Sequence, residues 1–139
     1  MQINITTCQE LQNIQLNLTG NYFLGNNINC SDIPNFAPIG NSTNKFTGIL
    51  DGKNLTISDL NIVSNSTNIG LFSQASLCTV KNLVLKDFNI NTTTSSASQV
   101  GSLIGIITGC NIDNIVLNTT IPTKKNTISG TGSTYITGG

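Results

Sequence analysis

The side chains able to do acid–base, nucleophilic or ligating chemistry are few. They are the carboxylates Glu10, Asp32, Asp51, Asp59, Asp87 and Asp113, the thiols Cys8, Cys30, Cys78 and Cys110, and six lysines, in a chain of 139 residues without histidine or arginine. A glycosidase needs two carboxylates facing each other across the scissile bond. Asp59 and Asp113 are the best candidates, because both fall in copies of a short repeat. The copy between them carries Asn82, however, and Asp or Asn at such a site reads more simply as a turn former. Asp51-Gly52 reads as a turn for the same reason. A polysaccharide lyase would want an acidic calcium cluster and a basic proton acceptor such as arginine, and the sequence has no acidic cluster and no arginine. Histidine-based catalysis and histidine-held metal are excluded outright. The expectation is therefore no catalytic residue, no metal site and no enzyme activity.

The cysteines show no C-x-x-C spacing, so two disulfides fit better than zinc. Eight N-x-S/T sequons start at Asn4, Asn17, Asn29, Asn41, Asn54, Asn65, Asn91 and Asn118. Composition alone would supply roughly five, which makes eight a modest excess, spread along the whole length. Thiols in pairs and sequons together point to a secreted or cell-surface glycoprotein, whose only attached groups are N-linked glycans. Met1 is followed by polar residues, so no signal peptide is expected. The chain then reads as a mature product, a recombinant piece or a segment of something larger.

Charge is scarce: 9% of residues, against roughly a quarter in an average soluble domain. Polarity comes instead from 21 Asn, 19 Thr and 13 Ser. Without a basic face there is no electrostatic footprint for nucleic acid, and no apolar run is long enough for a membrane helix. The hydrophobic share of 37% is too high, and the charge too low, for a disordered chain. The length suits a single domain. Aromatics are few, so the core must be made of Ile, Leu and Val, which favour strands.

The elements that would position these residues follow from local pattern. Residues 7–14 form the sole helix candidate, with Thr7 and Glu10 as a capping box and Leu11 and Ile14 as its apolar face. Beyond it, Gly20–Gly25 reads as a short strand, and Phe46–Gly52 leads through a glycine-bearing turn into a further strand at Leu55-Thr56-Ile57. The six-residue segments starting at Ile57, Val80 and Ile112 share the pattern apolar-x-Asp/Asn-apolar-x-apolar, at offsets of 23 and 32. Glycine-rich apolar stretches, Ile69–Phe72 and Val100–Gly105, precede the second and third. Such units cannot bury a face alone and must stack, which predicts a β-solenoid, with a β-sandwich as the alternative. Cys78 and Cys110 each lie two residues before a copy. Equivalent positions on successive rungs are about 4.8 Å apart, within disulfide reach. Cys78–Cys110 is thus the predicted bridge, leaving Cys8 to pair with Cys30.

The motifs Cys8–Ile14, Gly20–Leu24, Asn27–Cys30, Phe36–Gly40, Phe46–Gly52 and Ile69–Phe72 resemble the GLUG-type repeat modules of large extracellular proteins. The resemblance spans about residues 3–117. It implies an all-β, right-handed parallel β-helix of pectin-lyase-like form, closed by a short N-terminal capping helix, and it implies little about activity, because such modules are mostly repeats in adhesins and surface proteins. The domain is placed at residues 1–122. Residues 123–139 are an extended tail: a linker, with Lys124-Lys125 as a solvated hinge, or a strand donated to a neighbouring subunit. Thr92–Thr94 and Thr119-Thr120 raise ice binding, but threonine does not recur at a fixed rung position. The functional expectation is a self-associating subunit of a glycan-coated extracellular fibre or surface coat, assembled head to tail or by strand donation. The alternative is an adhesin or carbohydrate-binding module of a larger surface protein.

Overall fold

The computed structural model describes residues 2–65, 68–92, 99–118 and 127–130. The Thr93-Thr94 and Thr119-Thr120 pairs, Lys124-Lys125, and residues 131–139 of the tail lie outside them. The chain runs β1 (Ile3–Ile5), α1 (Cys8–Gln12), a 3-10 turn (Asn13–Leu16), β2 (Asn21–Leu24) and β3 (Ile28–Asn29). It continues through β4 (Ile49–Ser58), β5 (Asn61–Ser64), β6 (Asn68–Ile69), β7 (Phe72–Ser76) and β8 (Thr79–Lys86). The last elements are β9 (Asn89–Thr92), β10 (Gln99–Val100), β11 (Ile104–Thr108), β12 (Asn111–Asn118) and β13 (Thr127–Gly130). All pairings are parallel, in the order β1-β2-β4-β8-β12 on the long face, with β3 also on β4. The other faces are β5-β9-β13, β7-β11 and the short pair β6-β10. The chain thus winds as a parallel β-solenoid of about three turns.

The winding follows from where apolar side chains recur. Leu50, Val80 and Ile112 stack in register, as do Leu55, Leu83 and Ile115, and Ile57, Leu85 and Leu117. Ile62 stacks on Ile90 across the next face. Leu50, Ile57, Ile62, Val80, Leu83, Leu85 and Ile90 are all fully buried, each contributing ~1.5–3 kcal/mol through removal from water. Phe46 and Phe72, both fully buried, stack at 4.4 Å between centroids. These rings fill interior volume alongside the branched aliphatics.

The stacking corrects the repeat frame. Val80 and Ile112 pair as the sequence predicts, but the segment starting at Ile57 is not the layer beneath them. That layer is Leu50-Asp51 followed by Leu55–Ile57, with a register shift between Asp51 and Leu55. Its cause is a bulge: Lys53 and Asn54 both take left-handed backbone (φ 54° and 63°), which inserts residues without breaking the strand. The expected turn at Gly52 is therefore a kink inside β4. A side chain at Gly52 would meet the Asn82 carbonyl oxygen at 2.3 Å, so only glycine allows the coils to close here. Asp59 and Asp113 consequently occupy different rung positions: Asp113 stacks on Lys81 and Asp51, whereas Asp59 donates its N–H to Lys86 O. Asp59, Asn82 and Asn114 all have positive φ, the conformation in which short polar side chains form turns.

One end of the solenoid is closed by α1. Thr7 and Glu10 form the predicted capping box, each side chain accepting from the other's side of the turn. The Glu10 carboxylate also accepts from the Thr6 N–H at 2.9 Å and its hydroxyl at 2.8 Å. The Thr6 backbone bond leads in holding the Glu10 pKa below the ordinary carboxylate value. Leu11 and Ile14 point from this segment into the core and are fully buried. Both predicted disulfides are formed: Cys8–Cys30 ties the cap to the first coil, and Cys78–Cys110 joins two stacked corners with Cα atoms 4.4 Å apart. Within the 123–139 segment, Thr127–Gly130 form β13, which pairs with β9 from Thr127↔Asn89 to Gly130↔Thr92.

Candidate functional site

The carboxylates do not converge. Among the described residues, no cluster of three or more His, Cys, Asp or Glu is placed to hold a metal ion. Asp51 is the buried acid, and its role is local. Burial pushes its pKa up, but the Lys53 N–H, the Asn82 amide and the Lys53 ammonium outweigh that and hold it below the ordinary value. Its Oδ1 accepts from Lys53 N at 2.9 Å and its Oδ2 lies 3.5 Å from Lys53 Nζ. These bonds shape the bulge. The neighbouring asparagines form a ladder across coils, with the Asn114 Nδ2 group donating to both Asn82 Oδ1 (3.0 Å) and Asn54 Oδ1 (3.1 Å).

The sequon asparagines sit at the surface. Asn4, Asn17, Asn29, Asn41, Asn54, Asn65 and Asn118 are exposed and Asn91 is half-buried. They are distributed rather than clustered: Asn4, Asn29, Asn54 and Asn118 on or beside the long face, Asn91 on β9, and Asn17 after the 3-10 turn. At Asn17 the side-chain oxygen accepts from the Thr19 hydroxyl at 3.1 Å, and at Asn29 it accepts from Ser31 N at 2.8 Å.

Asn41 and Asn65 share a cleft of about 810 Å³. It lies where the long segment between β3 and β4 folds back over β7. Gly40 makes this approach possible: its φ is +83° and a Cβ there would lie 2.8 Å from Gln74 O. The walls come from four stretches distant in sequence: Gln15; Asn35–Ser42; Val63–Asn65 with Asn68; and Ser73-Gln74. Among the described residues lining it, none is charged. Three carboxamides have their oxygens fixed by backbone N–H groups. Gly40 N donates to Gln15 Oε1 at 2.7 Å, Val63 N to Asn35 Oδ1 at 3.1 Å, and Thr43 N and Asn44 N to Asn41 Oδ1 at 2.9 and 2.8 Å. Backbone donors oblige the oxygen to face them, so each NH₂ group is left as a donor.

Sequence reasoning missed this cleft because its residues share no motif and meet only through winding. The available signal was the stretch 30–48, which forms no regular strand. Segments of that length inside a compact domain are usually functional.

Comparison with known proteins bears on the chain as a whole. The family described as the M26 IgA1-specific metallo-endopeptidase N-terminal region matches residues 6–118. The chain belongs to this family. No curated protein and no solved structure matches it. The matched range of this M26 N-terminal region starts at the helix cap and ends with β12. The name attaches the family to a metallo-endopeptidase, while the match is to that peptidase's N-terminal region and not to GLUG repeats specifically. Two disulfides, and the lack of a helix among the described residues long and apolar enough to cross a membrane, are compatible with an extracellular setting.

Proposed function

We propose that the chain is a non-catalytic extracellular scaffold module of a larger protein, the alternative that the sequence left open as an adhesin or carbohydrate-binding module. The carrying observation is the family match over residues 6–118 to the N-terminal region of a metallo-endopeptidase. A histidine-free sequence supports a part that holds or presents rather than cleaves, since zinc peptidases draw their ligands mainly from histidine. The right-handed winding implied by the GLUG-type resemblance and N-glycans on the exposed sequons belong to the same proposal. The test is secretion of the chain behind a leader in a eukaryotic host. The expected product has both disulfides, loses mass on treatment with an N-glycosidase, and cleaves no protein substrate with or without added zinc. Zinc-dependent cleavage would overturn the non-catalytic role, and an unshifted mass would remove the glycans.

A second reading, the self-associating subunit, is favoured by one feature. At the β12 end, Ile107, Ile112 and Val116 are 46%, 37% and 45% exposed, apolar side chains on and beside a strand edge of the kind that pairs with other chains. Because α1 covers the opposite end, association would run through β12. Light scattering across a concentration series checks it: Val116→Lys should abolish any concentration-dependent growth in mass, and a strict monomer at all concentrations sinks the reading.

A further inference from the structure

We infer that the cleft between the β3–β4 segment and β7 is a binding site for an uncharged oligosaccharide of N-acetylated hexoses. With no charged side chain among the described lining residues, uronates, sulfated sugars and phosphates find no cation there to offset the hydration they lose. The carboxamides of Gln15, Asn35 and Asn41 have their oxygens engaged by backbone N–H groups, and their NH₂ groups have no partner among the described residues. These three carboxamides therefore present donors to the cleft. A ligand rich in strong neutral acceptors suits it, and the acetamido carbonyl is the strongest acceptor a neutral sugar carries. Ala37, Pro38 and Val63 supply C–H surface among these donors, which fits the acetamido methyl and the apolar side of a pyranose ring. About 810 Å³ lies within the range of small-ligand clefts, ~300–1,000 Å³, enough for two to three sugar residues. The donors are also prepositioned, because the bonds that fix the oxygens fix the rotamers, so little ordering is lost on binding.

Such a ligand can come from a foreign glycan or from the chain's own N-glycan, since the sequon residues Asn41 and Asn65 line the same cleft. The inference deepens the binding-module reading and rests on it.

The experiment uses the full chain made without glycans in an oxidising bacterial compartment, titrated calorimetrically with chitotetraose, cellotetraose and tetragalacturonate. Saturable binding of chitotetraose is expected, at least tenfold tighter than cellotetraose, with none for the uronate. Gln15→Glu and Asn35→Asp each keep the oxygen that the backbone holds and replace the NH₂ donor by an anionic oxygen. Each should weaken chitotetraose binding about tenfold, whereas Asn13→Asp, away from the cleft, should not. No binding, equal affinity for cellotetraose, or unchanged affinity in both cleft variants overturns the site. The two sources are separated with glycosylated chain from a eukaryotic host. Weakened chitotetraose binding that Thr43→Val restores assigns the cleft to the Asn41 glycan, because this change destroys the sequon while keeping the N–H that holds Asn41 Oδ1. Undiminished binding assigns it to a foreign glycan. A chain that binds nothing yet is secreted, disulfide-bonded and inactive as a peptidase loses the cleft proposal and keeps the scaffold role.

Discussion

The two ends of the solenoid carry similar aliphatic side chains in different company. At the cap, Leu11 and Ile14 are fully buried, held over the first coil by α1, the 3-10 turn and the Cys8–Cys30 bridge. At the other end, Ile112 continues the ladder of Leu50 and Val80, both fully buried, yet is itself 37% exposed. The position in the coil is the same; the difference is whether a layer lies on both sides. In a stack of coils, each inward side chain owes its burial to the layers above and below, as nearest-neighbour terms. Sequence pattern therefore tells which way a residue points, but not how deeply it is buried.

Removing the disulfides tests this contrast most severely. Loops of 22 and 32 residues constrain the unfolded chain by nearly equal amounts, roughly 3–4 kcal/mol each. Cys8→Ser with Cys30→Ser should lower global stability by about that much in a denaturant titration. Cys78→Ser with Cys110→Ser should instead appear mainly as faster amide exchange over 111–118, since among the described residues β12 pairs with β8 alone. Equal global losses would erase the distinction between the ends.

Cavity-forming substitutions sharpen it further. Leu11→Ala, at a fully buried site, should cost ~2–4 kcal/mol, whereas Ile112→Ala should cost under ~1.5 kcal/mol because solvent already reaches it. Thermal unfolding of the two variants side by side decides the matter. A smaller effect comes from the cap itself: Thr7→Ala removes the side-chain acceptor for Glu10 N and should cost ~1 kcal/mol, with loss of protection confined to residues 3–16.

The smallest effect is in pH. The folded-state pKa of Glu10 is lowered, first by the Thr6 backbone bond. Its contribution is therefore present above the ordinary value of 4.5 and disappears as pH falls through the lowered one. Glu10→Gln should flatten the acid limb of a stability-versus-pH profile at that end and leave neutral-pH unfolding nearly unchanged. A profile identical to the parent would show that the capping carboxylate carries none of the acid sensitivity.

Local chemistry was legible wherever neighbours in sequence decide it. The capping box at Thr7 and Glu10 follows from a four-residue motif, and Cys78–Cys110 follows from the copies starting at Val80 and Ile112. The earliest copy was misframed because two left-handed residues, Lys53 and Asn54, extend one coil without altering its apolar alternation. The cleft was illegible for a different reason. Its donors at Gln15, Asn35 and Asn41 acquire their roles only when separate coils bring backbone N–H groups to their oxygens.

The two disulfides also have a mechanical consequence. β1 and β12 lie at opposite edges of the long sheet, so tension applied between them would peel coils apart one after another. Each bridge removes its loop from the extensible length. The 22- and 32-residue loops together withhold roughly 190 Å of contour, at about 3.5 Å per residue. An oxidised module under load is thus a short, stiff tether, and reduction would turn it into a longer, more compliant one.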